Sequence, residues 1–412
     1  MNRTDRLERE LTTWFADTAA PQTPDWTADI LAATSTMRQR PRWSFPARWL
    51  PAAVIPRLPQ LARRPVPWRT IALVAALALL LAAAVTLYVG SRPRLPAPFG
   101  LAANGLVAYA ELGEIWTVDP ITGERKKIVS MAGGNQAPRF SRDGTRVAFL
   151  RSTEGGELLA ITRADGTRLV ESKGAPFVGA DIDSIVWSPD GHLVAVVADS
   201  DLGRTIDLVD TTTGEVRDLN TPGVDVEPYW RPPDGRELIY ARTAGGDARY
   251  LVLVDIEAPA GQERPVSDTE SYLRPGGWTP DGSRFVVHHF DDERGPWTSL
   301  LDPETGRDEQ LEVGYGRVSN DGTRIVGYDM FLAEPSLCVM TLPAGPCDEI
   351  ANGPVLPEWE HTAGLQWSPD DRWIAVYPQD GRGWLLLTPE GGPPITPVWS
   401  EHGVESWQRV AP

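Results

Sequence analysis

The sequence predicts an all-β fold, a β-propeller of four-stranded blades, preceded by one transmembrane α-helix and a short helical tail. Three observations support this. A turn pattern of the type aromatic-Ser-Pro-Asp-Gly recurs along most of the chain, a short apolar strand follows each turn, and an uncharged apolar run precedes the first repeat. The repeat length of 40 to 49 residues is typical of one propeller blade.

Charge divides the chain into two parts. The 412 residues carry a formal net charge of -17. Residues 1–69 contain 11 Arg and 6 acids, a net of +5, whereas residues 92–412 contain 28 bases and 50 acids, a net of -22. Such asymmetry indicates that the two parts face different surroundings. The acidic balance of the larger part argues against nucleic acid as a partner.

Residues 1–40 are predicted to form a short helical cytoplasmic tail. One helix is expected over residues 4–18, with Leu7, Leu11, Trp14 and Phe15 on one face. A second begins at Thr23, where a capping residue is followed by Pro. Residues 41–69 hold seven Pro and no clear period, so they are interpreted as an Arg/Pro-rich linker. Two helices this short cannot bury a stable core alone.

Residues 70–91 are predicted to span a membrane, because an uncharged apolar helix of this length matches a bilayer core of about 30 Å. Eight Arg and no acid lie between Arg38 and Arg69, so the positive-inside rule places the N-terminus in the cytoplasm of a bacterial cell and the rest of the chain outside. A buried core helix and a cleaved signal peptide are the alternatives. Residues 92–103 are a linker.

Residues 104–412 are predicted to form the extracytoplasmic propeller. The repeat turns are Phe140-Ser-Arg-Asp-Gly144, Trp187-Ser-Pro-Asp-Gly191, Trp230-Arg-Pro-Pro-Asp-Gly235, Trp278-Thr-Pro-Asp-Gly282, Val318-Ser-Asn-Asp-Gly322 and Trp367-Ser-Pro-Asp-Asp371. Ser, Pro and Gly suit the first, second and fourth positions of a type I turn. These residues are therefore interpreted as scaffold.

Seven blades are expected, although six remain possible. Asn104–Tyr109 is similar to a strand that follows a turn, and Val404–Val410 is similar to a strand that precedes one. Together they predict one blade built from both ends of the domain, which closes the ring and leaves no open sheet edge.

The repeated turns resemble those of TolB-like and WD40-like propellers over roughly residues 104–410. This resemblance implies the fold but not one function, because such propellers serve in binding, scaffolding and catalysis. The layout of tail, single span and outer domain also resembles membrane-bound anti-sigma factors. Zinc-type members carry a His/Cys cluster, whereas residues 1–69 contain no His and no Cys, so only a zinc-free version fits.

Two groups of residues are candidates for specific roles. Acidic residues recur shortly before the inner strands and predict an acidic ring that faces a ligand, a cation or a basic partner. The members of this candidate ring are Asp181, Asp225, Glu270, Glu312, Glu360, His361, Glu401 and His402. Cys338 and Cys347 flank a turn and are a possible disulfide. The alternative, which the net charge of -22 favours, is that this domain has acidic loops everywhere and no special ring.

No catalytic residue, cofactor site or metal site is predicted, because the sequence contains no nucleophile elbow, zinc-helix or phosphate-loop motif. His288 and His289 are adjacent on a strand, where successive side chains point to opposite faces, so one ion would not easily bind both. The prediction is a non-enzymatic propeller anchored outside a bacterial membrane that binds or senses a protein or small ligand. The alternatives are a transmembrane regulator whose tail controls a partner, and a metal-dependent propeller hydrolase or lyase.

Overall fold

The structure is a computed structural model of the chain. It describes residues 8, 10–14, 68–90, 95–131, 133–180, 185–201, 203–225, 228–246, 248–259, 262–268, 270–271, 273–291, 295–329, 336–343, 345–350, 364–378, 383–400 and 406–411. The chain divides into two compact units, Met1–Ser91 and Arg92–Pro412.

The first unit contains a 23-residue helix, Trp68–Gly90, and residues 10–14 are also helical. The remainder of the predicted tail, including its second helix, lies outside the described residues. A membrane span requires about 20 consecutive apolar residues.

Within the described residues, no helix is both long and apolar enough to cross a membrane. The predicted transmembrane helix is not confirmed, and the predicted membrane localisation is contradicted by this finding.

The second unit consists of seven antiparallel sheets. Blade 1 contains β1 (Ala103–Glu111), β2 (Glu114–Val118), β3 (Arg125–Val129) and, at its inner edge, β28 (Ser406–Val410). Blade 2 contains β4 (Asn135–Phe140), β5 (Arg146–Thr153), β6 (Gly156–Arg163) and β7 (Val170–Glu171). Blade 3 contains β8 (Val186–Trp187), β9 (Leu193–Ser200), β10 (Gly203–Asp210) and β11 (Val216–Asp218).

The other four sheets follow the same order along the chain. Blade 4 contains β12 (Tyr229–Trp230), β13 (Glu237–Gly245), β14 (Ala248–Asp255), β15 (Arg264–Pro265) and β16 (Glu270–Ser271). Blade 5 contains β17 (Arg274–Trp278), β18 (Phe285–Asp291), β19 (Gly295–Leu301) and β20 (Asp308–Leu311). Blade 6 contains β21 (Gly314–Val318), β22 (Arg324–Asp329), β23 (Ser336–Thr341) and β24 (Cys347–Glu349). Blade 7 contains β25 (Leu365–Trp367), β26 (Ile374–Val376) and β27 (Leu385–Leu387).

The predicted all-β propeller with seven blades is confirmed. Within each blade the strand that precedes the repeat turn lies innermost, and the following strands pair outward in sequence. Apolar side chains from neighbouring blades pack together; for example, Leu150 of β5 and Val196 of β9 belong to one buried cluster between blades 2 and 3. The core is therefore a series of layers between blades, and burial of these layers provides the main stabilisation.

The predicted closure by the C-terminus is also confirmed. Strand β28 pairs antiparallel with β1, with Trp407 opposite Val107 and Ser406 opposite Ala108. Trp407 is only 6% exposed. Blade 1 therefore takes its inner strand from the end of the chain and its other strands from the start of the domain.

The ring of blades has two sides. The turn face is the side on which the repeat turns follow the inner strands. The loop face is the opposite side, where the chain enters each inner strand.

Candidate functional site

The repeat turns are stabilised by hydrogen bonds within each turn. In blade 3, Ser188 Oγ donates to Asp190 Oδ1 over 2.7 Å, and Asp190 Oδ1 accepts the main-chain N–H of His192 at 2.9 Å. Equivalent Ser/Thr–Asp bonds of 2.6 Å occur in four further turns, at Ser141, Thr279, Ser319 and Ser368. The repeated hydroxyl and carboxylate are thus part of the scaffold, and the Asp caps the turn as an Asx-type acceptor.

The repeat Trp residues join neighbouring blades. The Trp187 indole donates from Nε1 to the main-chain oxygen of Arg139 on the inner strand of blade 2, over 2.9 Å. The same bond is made by Trp230, Trp278 and Trp367 to the preceding inner strand. A buried indole N–H normally requires such an acceptor, so these bonds explain why the position before the turn favours Trp.

Arginines cover the Trp rings on every second boundary. The Arg146 guanidinium lies 5.3 Å from the ring centroid of Trp187, and its Nη2 donates to Gly191 O over 2.7 Å. Arg231 and Arg324 make the same contacts with Trp278 and Trp367 in later blades. Cation–π contact and a fork of N–H donors make Arg suitable for this position. The repeat pattern in the sequence did not predict this role of the arginines.

The repeat turns contact one another around the mouth of the central channel. A Cβ added at Gly235 would lie 2.3 Å from Pro189 Cδ of the preceding blade, and one at Gly322 would lie 2.9 Å from Pro280 Cδ. The second residue of one turn therefore contacts the fourth residue of the next turn. This arrangement places the turns in a ring on the turn face.

Residues 95–102, named the strap here, lie against this ring of turns. Ala102 donates its N–H to Pro369 O in the turn of blade 7 over 2.9 Å. The Arg142 guanidinium in the turn of blade 2 lies 5.1 Å from the ring centroid of Phe99. The strap thus contacts turns on both sides of blade 1.

Arg409, at the end of β28, holds the strap in place. Its Nη2 donates to Gly100 O over 2.6 Å and to Ala97 O over 3.2 Å, and its Nη1 donates to Asn320 Oδ1 over 2.9 Å. Because Asn320 belongs to blade 6 and Arg409 to blade 1, the Arg409 side chain reaches past blade 7 along the mouth. Arg409 is 6% exposed.

Four residues in this network occupy positions where the repeat departs from its own pattern. Arg142 and Asn320 stand where other turns have Pro, Asp371 stands where other turns have Gly, and Arg409 takes the Pro position after Trp407. Asn320 Nδ2 donates to Asp371 Oδ1 over 2.7 Å. These departures from the pattern therefore lie in one network. In the sequence, the departures themselves are the signal that could have marked these four positions.

Asp371 is conformationally unfavourable on its own. Its φ is 56°, in the left-handed region that Gly adopts in the equivalent turns, such as Gly191 with φ 71°. A side chain in this region costs about 1 kcal/mol. Its carboxylate oxygens accept N–H groups of Asn320 and Asp321 over 2.9 Å each. These hydrogen bonds offset the unfavourable φ and connect blades 6 and 7.

Only part of the predicted acidic ring lies within the described residues. Asp225 is half-buried and forms an ion pair with Arg249, and its main-chain oxygen accepts from Arg204 Nη1 over 2.8 Å. Glu312 is exposed on the loop face. Glu270 lies in β16, and its side chain is outside the described set. The remaining members, Asp181, Glu360, His361, Glu401 and His402, also lie outside it.

His288 and His289 are buried in β18, 4% and 3% exposed. His288 Nδ1 lies 3.3 Å from Thr298 Oγ1, and His289 Nε2 lies 2.7 Å from Ser299 Oγ. Burial, and secondarily the charge of Arg317, lowers the pKa of His288 well below its usual value. Among the described residues, no group of three His, Cys, Asp or Glu side chains has the arrangement of a metal site.

Cys338 in β23 and Cys347 in β24 form a disulfide, with Cα atoms 5.5 Å apart. Cys338 is fully buried in the cluster between blades 5 and 6. The bond joins the two outer strands of blade 6 across the turn at Pro343.

Comparison with known proteins supports the fold. No protein-family model and no curated protein matches the chain. Among solved structures, it is similar to TolB from Acinetobacter baumannii, with 16% identity over 72% of this chain and 78% of that chain and a TM-score of 0.44. It is also similar to an oligogalacturonate lyase in complex with manganese, with 18% identity over 67% and 83% and a TM-score of 0.50. For the tricorn protease the identity is 13% over 74% of this chain and 36% of that chain, with a TM-score of 0.52.

At such identities these likenesses bear on the fold alone. The propeller fold that the repeat turns predict is supported by the likenesses with TM-scores of 0.50 and 0.52. The resemblance to anti-sigma factors is not shown. A shared fold does not decide between binding and catalysis.

Proposed function

We propose that this chain is a non-catalytic binding module that captures its ligand on the loop face of the propeller. The proposal rests on the position of the strap on the turn face. Residues 95–102 contact the turns of blades 7 and 2, and Arg409 at the end of β28 in blade 1 binds two of their main-chain oxygens. The loop face is then the side from which a ligand approaches the channel.

The chemistry of the loop face suggests a ligand with basic groups. Glu312 is exposed there, and the candidate ring predicted from the sequence adds Glu360 and Glu401, which precede inner strands in the chain and lie outside the described residues. A concentration of carboxylates at the rim of a channel raises the local concentration of cationic partners. The ion pair between Asp225 and Arg249 removes one charge from this ring, so we assign recognition to the glutamates.

The state of the described polar side chains supports binding over catalysis. The repeat hydroxyls of Ser141, Ser188, Ser319 and Ser368 donate to carboxylates of their own turns. His288 and His289 are buried between strands. A catalytic base must come within hydrogen-bond reach of a substrate, and these side chains lie inside the scaffold.

The proposal is tested with the full chain and two probe peptides, one rich in lysine and one rich in glutamate. Binding is measured by fluorescence anisotropy for the parent, for Glu360→Gln with Glu401→Gln, and for Glu390→Gln. Glu390 is a matched control, because its side chain is 77% exposed and lies beyond β27, on the turn face. We expect the lysine-rich peptide to bind the parent and the Glu390 variant at least fivefold more tightly than the double variant.

Equal binding by all three proteins would contradict a ligand site on the loop face. Conversion of a bound probe or screened small molecule into a new product, detected by mass spectrometry and absent without the protein, would contradict a non-catalytic role.

A further inference from the structure

Two arginines on the turn face contact the same segment, the strap. Arg142 belongs to the turn of blade 2 and Arg409 to the end of β28 in blade 1. Both replace the Pro of the repeat pattern, and both contact the strap, Arg142 through Phe99 and Arg409 through Gly100. Like charges placed together at a buried position are costly unless an opposite charge offsets them.

The hydrogen-bond partners of Arg409 are all uncharged. Its two terminal nitrogens donate to Asn320 Oδ1 and to the main-chain oxygens of Ala97 and Gly100. Its Nε is buried and has no hydrogen-bond partner, although the whole residue is 6% exposed. Burial, and secondarily the charge of Arg142, lowers the pKa of Arg409 to about 10. One donor of a buried cation is thus left for another acceptor.

Arg142 is accessible to water even though protein surrounds it. Its residue surface is exposed, whereas burial lowers its pKa. The Arg142 side chain therefore has surface in contact with water while protein atoms surround much of it. Among the described residues, neither Arg142 nor Arg409 has a carboxylate within ion-pair distance.

The nearest counter-charge in this network is already engaged. Asp371 reaches Arg409 only through Asn320, which donates to the carboxylate and accepts from the guanidinium. Its second oxygen accepts the N–H of Asp321. Among the described residues, the one carboxylate that hydrogen bonds connect to Arg409 is therefore a carboxylate that already accepts three N–H groups.

We propose that the turn-face end of the channel is a binding site for an oxyanion, held between the free Nε–H of Arg409 and the guanidinium of Arg142. Guanidinium groups present planar N–H donors that match the oxygens of carboxylate, phosphate and sulfate. Phe99 of the strap lies against the Arg142 guanidinium at this site. The proposal does not depend on the loop-face function, because it uses other residues at the other end of the channel.

Sulfate, phosphate and acetate are the probes, each added to the full chain as its sodium salt. Sodium chloride at equal ionic strength is the reference. Binding is measured by isothermal titration calorimetry for the parent, for Arg142→Gln and for Arg372→Gln. Arg372 is the matched control, because it lies in the turn of blade 7 with a side chain that is 82% exposed. The three salts distinguish an inorganic tetrahedral oxyanion from a carboxylate.

We expect at least one probe to bind the parent, and we expect Arg142→Gln to weaken that affinity at least tenfold while Arg372→Gln changes it less than twofold. Because sulfate and phosphate also stabilise proteins non-specifically, the difference between the variants is the readout. In chloride alone, Arg142→Gln should melt at or above the parent temperature, since it removes a like-charge repulsion.

Two results would overturn the site. One is the absence of heat beyond the chloride reference for all three salts, and the other is equal affinity in the parent and in Arg142→Gln. A melting temperature of Arg142→Gln in chloride several degrees below the parent would instead show that the Arg142 charge is already compensated within the protein.

Discussion

The side-chain amide of Gln408 donates a hydrogen bond to the main-chain oxygen of Gly144, with 2.6 Å between Nε2 and O. Its Oε1 accepts the main-chain N–H of Leu106 at 3.0 Å. One side chain on β28 thus connects the C-terminal strand to β1 in its own blade and to the repeat turn of blade 2. This contact joins residues 264 positions apart, so it exists only when the ring is closed.

Deletion of residues 403–412 should therefore destabilise the whole propeller. It removes β28, the Gln408 bonds and Trp407, and loss of a buried Trp alone costs about 3–5 kcal/mol. Since most domains have only about 5–15 kcal/mol of stability, the truncated chain should aggregate or melt at least about six degrees lower, at about 2 °C for each kcal/mol lost. The measurement is thermal unfolding followed by circular dichroism, with size-exclusion chromatography. A melting temperature within a few degrees of the parent would contradict closure by the C-terminus.

Asp207 should make stability depend on pH. Burial, and secondarily the charge of Asp218 opposite it on β11, raises the pKa of Asp207 to about 6. The folded chain then binds this proton more tightly than the unfolded chain, whose Asp has a pKa of about 3.9. Protonated Asp207 is compatible with the folded chain, so the free energy of unfolding is highest below about pH 4. It falls as pH rises through about 6, because the buried carboxyl group then ionises.

Asp207→Asn keeps the neutral form at every pH. We expect it to raise the free energy of unfolding by about 1–2 kcal/mol at pH 7.5, after allowance for partial exposure, and to have no effect near pH 4. Urea unfolding at the two pH values measures this difference. Asp201→Asn, at an exposed position of the same blade, is the control. An equal effect at both pH values would contradict the raised pKa.

Arg146→Lys should weaken the boundary between blades 2 and 3. Arg146 donates to Thr211 Oγ1 and Gly191 O over 2.7 Å each while it covers the Trp187 ring. A lysine ammonium cannot reproduce the fork, so we expect a loss of about 1–2 kcal/mol in the free energy of unfolding. Chemical denaturation measures it, with Arg163→Lys at an exposed site as the matched control. If both variants lose the same free energy of unfolding, the Arg146 contacts with blade 3 do not contribute to stability.

The cysteine pair should contain no free thiol. We expect thiol labelling of unreduced, denatured protein to detect neither Cys338 nor Cys347. Cross-linking a loop of about 10 residues stabilises a fold by roughly 2–3 kcal/mol in the chain-entropy model, so reductant should lower the melting temperature. A variant with both residues changed to Ala should melt like the reduced parent and should not respond to reductant. Two labelled cysteines in the unreduced protein would exclude the disulfide.

The repeat turns could be predicted from sequence because each is a local pattern. Ser188 and Asp190 form the hydrogen bonds of their turn with groups no more than five residues away, so the same letters at a period of 40 to 49 residues indicate the same turn wherever they occur. Blade number and C-terminal closure follow from counting those turns. The segment that begins at Asn104 lacks a turn before it, and the segment that begins at Val404 lacks a turn after it. Each would leave the backbone N–H and C=O groups of a strand edge unpaired unless it paired with the other. The sequence therefore indicates this long-range pairing.

The distribution of charge along the chain predicted binding sites and surroundings less well than the repeat pattern predicted the fold. Asp225 was predicted to contribute to an acidic ring, but Arg249 on β14, 24 residues later, neutralises it. Residues 70–91 were predicted to cross a membrane, and the described helices do not support that localisation. In both cases the sequence shows the composition of a segment, whereas its partners are set by the fold.

By itself the sequence determined the repeat, the turn chemistry, the seven blades and the strand that closes them, because these depend on backbone conformations that short patterns encode. Only the tertiary structure decided what the irregular repeats do. Arg142, Asn320, Asp371 and Arg409 are single departures in separate blades, up to 267 positions apart. Ring closure brings blades 6, 7, 1 and 2 together, and only then do these side chains form one charged network at the mouth of the channel.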